Sequence, residues 1–344
     1  MACKLVALTG GTGFLGRHLG VALAARGYRL RVLARRDPTH PLWRDIVPEV
    51  VPGDLGSPPA LAQLVDGADV VIHLAGLTRA RSRREFQRVN CEGAARLAGM
   101  MRRHAPEAHL IAVSSLAARE PGLSGYAASK RAGETAMAEA FAGGRLTIIR
   151  PPVIYGPWDR ATLAIFRMAA GPIVPVPGPP GSRIAMIHVQ DAAEALAALT
   201  AWKEAPGGTI YALADTKPAG YSPRYILECA AASLGHAPHF VRLPDPAIRL
   251  AGHAAGLLAR IRGQAALFSA GKARELLQGT WSVSPEELFP TAVARPAIDL
   301  RSGCATTVAW YHEAGWLPRK TRQLSAAGAH RCQHSGADAS KYEN

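Results

Sequence analysis

Short, almost uninterrupted apolar runs alternate with segments of helical periodicity along the first half of the chain. Five runs are predicted to be β-strands, at 4–9, 30–33, 68–74, 109–113 and 146–149. The intervening segments with apolar residues at helical spacing are predicted to be helices, at 17–26, 86–103 and 126–141. Strands that are apolar throughout are typical of a parallel sheet covered by helices on both faces. The pattern therefore predicts an α/β fold with a doubly wound parallel sheet.

The sequence changes character after residue 150, where prolines and glycines interrupt regular structure as far as residue 181. Beyond them we predict a helix at 191–200 and a strand near 209–213 that returns to the main sheet. We therefore predict a first domain over residues 1–155, completed by that strand, and a smaller domain that occupies mainly residues 156–320. Residues 321–344 have no periodicity and are predicted to be a disordered tail.

The segment 247–261 is mostly apolar but carries interspersed positive charges. Such a helix can lie on a membrane surface or pack against its own domain, and packing is the favoured prediction. The chain has no apolar run near the roughly 18 residues that cross a bilayer, so no transmembrane segment is predicted.

Composition indicates a globular protein: 48% of the 344 residues are hydrophobic and 19% are charged. The five cysteines are scattered without a Cys-x-x-Cys pair, which favours free thiols over disulfides or a metal site. The first six residues lead directly into a predicted strand, which leaves no room for a secretory signal. We therefore expect no bound metal and a cytoplasmic location.

The formal net charge is +14, and the densest positive cluster consists of Arg79, Arg81, Arg83, Arg84 and Arg88. A solvent-exposed, arginine-rich surface is the favoured interpretation of this cluster. Attraction of an anionic cofactor or substrate is the first alternative, and nucleic-acid binding is the second. Because no nucleic-acid motif accompanies the arginines, a nucleic-acid partner is not predicted.

A glycine-rich turn joins the first predicted strand to the first predicted helix, with the sequence Thr-Gly-Gly-Thr-Gly-Phe-Leu-Gly at residues 9–16. The glycines permit a tight turn and a close approach of backbone to a pyrophosphate, while the helix N-terminus supplies oriented N–H groups. Because further strand–helix units follow, we predict that residues 1–155 form a dinucleotide-binding Rossmann domain.

The end of the second predicted strand distinguishes NADP from NAD. NAD sites usually place an acidic residue there for the ribose 2′-hydroxyl, whereas NADP sites offer arginine to the 2′-phosphate. Here Ala34 is followed by Arg35 and Arg36, and Asp37 comes only later. The sequence therefore predicts NADP(H), with NAD as the alternative.

Tyr126 and Lys130 lie four residues apart on a predicted helix, so their side chains share one face. A nearby ammonium stabilises tyrosinate and lowers the tyrosine pKa, which makes the phenol a usable acid or base near neutral pH. Ser114 and Ser115 end a predicted strand, where a hydroxyl can bind a substrate oxygen. The sequence predicts the catalytic set Ser115, Tyr126 and Lys130.

These motifs occur in the order of the extended short-chain dehydrogenase/reductase superfamily, which the chain resembles over residues 4–320. The resemblance is carried by the catalytic set and by residues 9–16, 73–76, 150–157 and 188–191. It implies that Tyr126 is the acid/base, that Lys130 holds the nicotinamide ribose and tunes Tyr126, and that Ser115 positions the substrate oxygen. Ser115 is preferred to Ser114 because it matches the last hydroxyl of the superfamily's strand-end motif.

The resemblance also implies which residues border the cofactor. Those at the pyrophosphate turn, the adenine and the middle of the cofactor are Gly10, Gly13, Phe14, Leu15, Gly16, Asp54, Leu55, Leu74, Ala75 and Gly76. With Arg35, Arg36, Tyr126 and Lys130 they form the predicted cofactor site, and residues 156–320 are expected to face a small-molecule substrate.

The substrate prediction depends on a departure from the superfamily pattern. Members that act on nucleotide sugars commonly carry a diphosphate-binding arginine four residues before the histidine that here is His188. That position is Ile184, and the neighbouring arginine is Arg183. A slip of one residue on an extended segment turns a side chain to the other face.

The interval between Ser115 and Tyr126 is also short, and both features resemble the reductase-like branches. These include flavonoid reductases, 3β-hydroxysteroid dehydrogenases and relatives of a respiratory complex I subunit. We therefore predict an oxidoreductase that transfers hydride to or from a carbonyl or secondary alcohol. A nucleotide-sugar epimerase or dehydratase and a non-catalytic assembly module are the alternatives, and a homodimer is left open.

Overall fold

The computed structural model describes residues 4–202, 207–266 and 268–318. The strands within these ranges are β1 Leu5–Thr9, β2 Arg29–Ala34, β3 Glu49–Pro52, β4 Val70–His73, β5 His109–Val113, β6 Leu146–Arg150, β7 Val153–Tyr155, β8 Ile173–Val176, β9 Arg183–Ile184, β10 Met186–His188, β11 Thr209–Ala212, β12 His239–Arg242 and β13 Thr280–Trp281. The α-helices there are α1 Phe14–Ala24, α2 Pro58–Val65, α3 Arg83–Phe86, α4 Gly93–His104, α5 Gly125–Ala140, α6 Leu163–Ala169, α7 Val189–Ala201, α8 Pro223–Ser233, α9 Asp245–Ile261, α10 Ala270–Leu277 and α11 Leu300–Glu313. The predicted tail, 321–344, lies outside the described residues.

Seven parallel strands form the main sheet, in the order β3-β2-β1-β4-β5-β6-β11. Helices α1 and α7 pack together on one face, and α2, α4 and α5 on the other. The strand order reverses between β1 and β4, the arrangement in which dinucleotides bind outside the carboxyl ends of the strands. The predicted α/β class with a doubly wound parallel sheet is confirmed.

The predicted helix at 86–103 is interrupted by a π-helical turn, Gln87–Glu92, between α3 and α4. The turn packs closely against α5, a contact that side-chain periodicity does not report. A Cβ at Gly133 would collide with the main-chain oxygen of Asn90. The side chain of Asn90 is buried and points inward, where it bonds the main chain of Leu77.

Sequence patterning missed β3 and α2. Only Val51 is buried in the edge strand β3, so this segment lacks the apolar run that marks the central strands. Helix α2 is short and begins with two prolines. Prolines in a sequence indicate a loop, but they also fit the first turn of a helix.

A second apolar core lies beyond β6, where α6, α8 and α11 pack around Tyr155, Phe166 and Tyr311. Three two-stranded parallel sheets, β7–β10, β8–β12 and β9–β13, accompany these helices. The boundary predicted at residue 155 stays a prediction, since β11 comes back from this half of the chain to the main sheet. Within the described residues, no helix is long and apolar enough to cross a membrane.

Candidate active site

The predicted site residues follow strands that end in register along one edge of the main sheet. Thr9, which ends β1, pairs with Leu33 of β2 and with His73 of β4, and His73 pairs with Ala112 of β5. The loops after these four strands therefore meet at the carboxyl edge. This edge holds the glycine-rich turn, Arg35 and the loop that contains Ser115.

The glycine-rich turn is packed too closely for side chains. Gly10 has φ +70°, and a Cβ there would lie 2.6 Å from the amide nitrogen of Ala75. A Cβ at Gly16 would collide with the main-chain oxygen of Gly10. Gly13 is the N-cap of α1, which begins with Phe14 and Leu15, and no side chain of the cap bonds the first N–H groups of the helix. This cradle fits a pyrophosphate.

Thr9 and His73 tie the glycine-rich turn to the loop after β4. The hydroxyl of Thr9 lies 2.7 Å from Nδ1 of His73 and accepts a 3.3 Å hydrogen bond from the amide of Ala75. The main-chain oxygen of Thr9 accepts a second bond, 3.0 Å long, from the amide of Leu74. Burial lowers the pKa of His73 to about 3, with a smaller contribution from Lys130, so its ring is neutral at physiological pH.

Strand β2 ends at Ala34, and both Arg35 and Arg36 are exposed immediately beyond it. Neither guanidinium takes part in an ion pair with any other described residue. The carboxylate of Asp37 accepts hydrogen bonds of 2.9 and 2.7 Å from the amide and hydroxyl of Thr39, and these bonds lower its pKa. The nearest acid is therefore engaged within its own loop, while two arginines are free to meet an anion.

Arg17 is a structural residue of this site that the motif analysis missed. It donates hydrogen bonds to the main-chain oxygens of Thr12, at 2.9 Å, and Pro38, at 3.2 Å. These bonds connect the glycine-rich turn to the loop that carries Arg35 and Arg36. Its position directly after Gly16 was the available signal, but only the tertiary structure shows where the side chain reaches.

The residues expected near the adenine lie after β3. Asp54 is exposed and accepts a 2.7 Å hydrogen bond from the amide of Gly56, which shapes the turn. Leu55 is buried against Gly93 of α4, and Arg96 of the same helix donates to its main-chain oxygen. Asp54 thus lies on the surface and Leu55 anchors the loop.

The catalytic candidates meet where β5 and α5 approach one another. Ser124 accepts a hydrogen bond from the amide of Ala127 and so caps α5, which sets Tyr126 in the first turn and Lys130 one turn later. Lys130 donates to the main-chain oxygen of Val113, the last residue of β5. Ser115 lies two residues beyond Val113 and forms a hydrogen bond with Tyr126. The three predicted side chains are thus brought together.

The environment shifts the pKa of both titratable members of this set. Burial raises the pKa of Tyr126, the hydrogen bond with Ser115 opposes that shift, and the charge of Glu275 adds to it. Burial lowers the pKa of Lys130 to about 8, against the opposing charge of Glu134. The direction for Tyr126 is opposite to the expectation, because burial disfavours the charged tyrosinate and outweighs the hydrogen bond with Ser115. Tyr126 is therefore held as a phenol, the form that donates a proton.

Asn90 is a second residue that the motif analysis missed. Its amide Nδ2 donates 2.9 Å hydrogen bonds to the main-chain oxygen of Leu77 and to the hydroxyl of Ser129, and Oδ1 accepts from the amide of Leu77. A Cβ at Gly76 would lie 3.2 Å from Oδ1 of Asn90 and 3.7 Å from Nζ of Lys130. Asn90 therefore joins the loop after β4 to α5 beside Lys130.

The five arginines of the 79–88 cluster are all exposed and follow directly on this loop. Gly125, which precedes Tyr126, lies against Arg83 and Phe86, and the rings of Phe86 and Tyr126 are 6.1 Å apart. Arg83 therefore flanks the start of α5. The exposure of all five side chains fits a solvent-exposed, arginine-rich surface, and attraction of an anionic cofactor or substrate stays a prediction.

Comparisons with known proteins agree with this geometry. The sequence profile of the NAD dependent epimerase/dehydratase family matches residues 6–214. The chain is 49% identical over 317 residues to a ceramide reductase of Caulobacter vibrioides, an alignment that covers 92% of this chain and 96% of that protein.

It is also 31% identical over 242 residues to the 4-hydroxy-2-methyl-3-oxo-4-farnesyl-3,4-dihydroquinoline-1-oxide ketoreductase of Stigmatella aurantiaca, covering 61% of this chain and 68% of that one. The solved structure of MoeE5 in complex with UDP-glucuronic acid and NAD has the same fold, with a TM-score of 0.64 and 21% identity over 90% of this chain and 99% of that one.

The chain belongs to the NAD dependent epimerase/dehydratase family. It is an NAD(P)-dependent oxidoreductase of the extended short-chain dehydrogenase/reductase type, and it acts on a small molecule with a nicotinamide cofactor. The predicted superfamily and enzyme class are confirmed. The epimerase and non-catalytic alternatives are not favoured.

Proposed function

We propose that this enzyme uses NADPH to reduce a ketone on a ceramide-type lipid to a secondary alcohol. The observation that carries the chemistry is the convergence of Ser115, Tyr126 and Lys130 at the carboxyl edge of the sheet, beside the glycine-rich turn. The substrate class follows from the ceramide reductase with which the chain is 49% identical along nearly its whole length.

Reduction of a ketone requires a hydride at carbon and a proton at oxygen, and NADPH supplies the hydride. Tyr126 donates its phenolic proton to the carbonyl oxygen as negative charge develops there. Ser115 holds that oxygen by a hydrogen bond. Lys130 stabilises the resulting tyrosinate, which regains a proton from solvent, so that ketone, NADPH and one proton give alcohol and NADP⁺.

The preference for NADPH rests on the end of β2. Arg35 and Arg36 are exposed and free of ion pairs among the described residues, and Ala34 stands where NAD enzymes use an acid. Arg17 braces the same loop. Successive side chains point to opposite faces only within a strand. Because β2 ends at Ala34, Arg35 and Arg36 both lie in the loop beyond it, and both contribute.

The position of Ile184 supports a substrate other than a nucleotide sugar. Ile184 pairs with Tyr221 through the backbone, and its side chain packs against the core of the second half of the chain. Arg183 is exposed and donates to the main-chain oxygen of Ser182. The side chain at the position where sugar-nucleotide enzymes carry a diphosphate-binding arginine is therefore apolar and directed into protein.

The test is a reductase assay on a ceramide-type ketone in detergent micelles, with NADPH or NADH as donor. We expect loss of nicotinamide absorbance and a product heavier by two hydrogens, faster with NADPH, and neither with the Tyr126→Phe protein. UDP-hexoses are the comparison substrates. No reduction of the ketone, together with interconversion of a UDP-hexose, would refute the proposal.

A further inference from the structure

Helix α9 buries one narrow face and leaves the opposite face in solvent. Ile248 and Gly252 are its buried residues, and a Cβ at Gly252 would lie 2.8 Å from Cβ of Ala273 on α10. Leu250, Leu257 and Ile261 are 71%, 61% and 75% exposed. At 3.6 residues per turn these three side chains fall within about 40° of one another, on the side of the helix opposite Ile248.

The exposed stripe continues through Ala254 and Leu258, so it is a contiguous apolar surface and not a set of isolated side chains. Arg249, His253 and Arg260 lie along one flank of it by the same geometry, and all three are exposed. The sequence contains no acidic residue between positions 246 and 274. The exposed side of α9 is therefore apolar along its centre and positive at its margin.

We propose that α9 docks on the surface of an anionic lipid membrane. The stripe of Leu250, Leu257 and Ile261 enters the boundary between headgroups and acyl chains, and the arginines meet anionic headgroups. Charge complementarity selects this occupant: the flank is positive and the chain carries a net charge of +14. A water-facing helix that only packed on its domain would have polar residues where these large apolar ones stand.

Helix α10 connects the docked helix α9 to the start of α5 in the active site. Helix α10 packs against α9, and its Glu275 accepts a hydrogen bond from the hydroxyl of Ser124, the cap of α5. Arg274 donates to the main-chain oxygen of Leu123 at 2.8 Å. Tyr126 lies two residues beyond Ser124. Docking through α9 therefore brings the start of α5 close to the lipid surface.

Arg83 of the 79–88 cluster also lies against the start of α5, beside Gly125. Its positive charge is therefore close to the site, which suits an anionic surface. Membrane binding follows from α9 alone, whereas delivery of a lipid ketone to Tyr126 rests on the proposed function. A substrate with two long hydrocarbon chains would reach the site without crossing water.

The test is flotation of the purified protein with vesicles of phosphatidylcholine, with and without phosphatidylglycerol. We expect the protein to float with the anionic vesicles, and the bound fraction to fall at high salt because the arginine–headgroup attraction is screened. L250E/L257E/I261E should reduce binding by about tenfold or more, since three buried apolar side chains become charged. The single variants Leu250→Glu and Val47→Glu form a matched pair, because Val47 is 96% exposed and lies outside α9.

Of this pair of single variants, only Leu250→Glu should weaken flotation, while the melting temperature and NADPH binding stay unchanged in every variant. Wild-type protein that remains unbound, or a triple variant that floats as well as wild type, overturns the proposal. A lipid-free dimer that the triple variant dissociates also overturns it, since the stripe would then be an interface between copies. None of these readouts uses turnover, so the reductase assay and this one fail independently.

Discussion

Nζ of Lys130 donates a 2.8 Å hydrogen bond to the main-chain oxygen of Val113. Val113 ends the strand whose following loop carries Ser115, and Lys130 stands one helical turn beyond Tyr126. One side chain therefore links the end of β5 to α5 and fixes the separation of the serine and tyrosine hydroxyls. On α5 the ammonium also stands one helical turn from the tyrosinate that forms during proposed turnover.

Removing the hydroxyl of Tyr126 tests its role as proton donor. Tyr126→Phe should lower kcat by roughly 10²–10⁴-fold, the usual contribution of a positioned acid or base. NADPH affinity and the free energy of unfolding should change little, because only one oxygen is lost. Steady-state kinetics measure the first effect and fluorescence titration the second. Tyr211→Phe is the control, because Tyr211 lies in an aromatic cluster with Trp202 and Phe289. Native turnover by the Tyr126→Phe protein would exclude the assigned role.

The pKa of Lys130 sets a pH limit on cofactor binding. Burial lowers that pKa to about 8, so the ammonium is present below this pH and is lost as pH rises through it. NADPH affinity should therefore be constant on the acidic side and decline above about pH 8. Nicotinamide fluorescence titrations across this range measure the profile. The Lys130→Met protein should bind weakly with no such step, and an unchanged step in that variant would assign the titration to another group.

Cofactor choice should reverse on the double change Ala34→Asp with Arg35→Asn. A charge-assisted hydrogen bond between Arg35 and the 2′-phosphate contributes about 1.5–3 kcal/mol, which corresponds to roughly ten- to hundredfold preference for NADPH. The variant loses that bond and gains an acceptor for the ribose 2′-hydroxyl. Titration with NADPH and NADH gives the ratio, with Arg29→Asn at the other end of β2 as the control. Equal affinities in the wild type, or NAD found bound to the purified protein, would refute the assignment.

Three buried histidines should make the fold sensitive to mild acid. Burial lowers the pKa of His73 to about 3 and the pKa values of His109 and His188 to about 4. Below the ordinary value near 6.5 only the unfolded chain takes up these protons, so stability falls as pH falls. Asp215 opposes this trend, because burial raises its pKa to about 6 and the folded state then gains a proton.

The net loss in the free energy of unfolding between about pH 7.5 and about pH 6.0 should be about 2 kcal/mol. Urea denaturation at the two pH values measures it. His109→Gln should reduce the histidine contribution to the difference by about a third, since one of three titrating groups is gone. Equal stabilities at both pH values would show that the histidines titrate alike in the folded and unfolded chains.

The sequence by itself determined the main sheet and the chain's resemblance to a known superfamily, because both depend on residues that are close together in the sequence. Apolar runs of strand length that alternate with helical segments are typical of a parallel sheet covered by helices on both faces. The glycines of residues 9–16 allow one stretch of backbone to pass close to another. The spacing of Tyr126 and Lys130 followed from helix geometry alone. The sequence did not predict the edge strand β3, because only one of its residues is buried and it therefore has no apolar run.

The tertiary structure decided what depends on partners remote in sequence. The π-helical turn brings the backbone of Asn90 against Gly133 of another helix, and burial raises the pKa of Tyr126. The pattern of 247–261 indicated an amphipathic helix and left its partner open. In the structure its inner face packs on α10 and its outer face is largely exposed to solvent. Burial is a property of the assembled chain, whereas periodicity specifies only which side chains share a face.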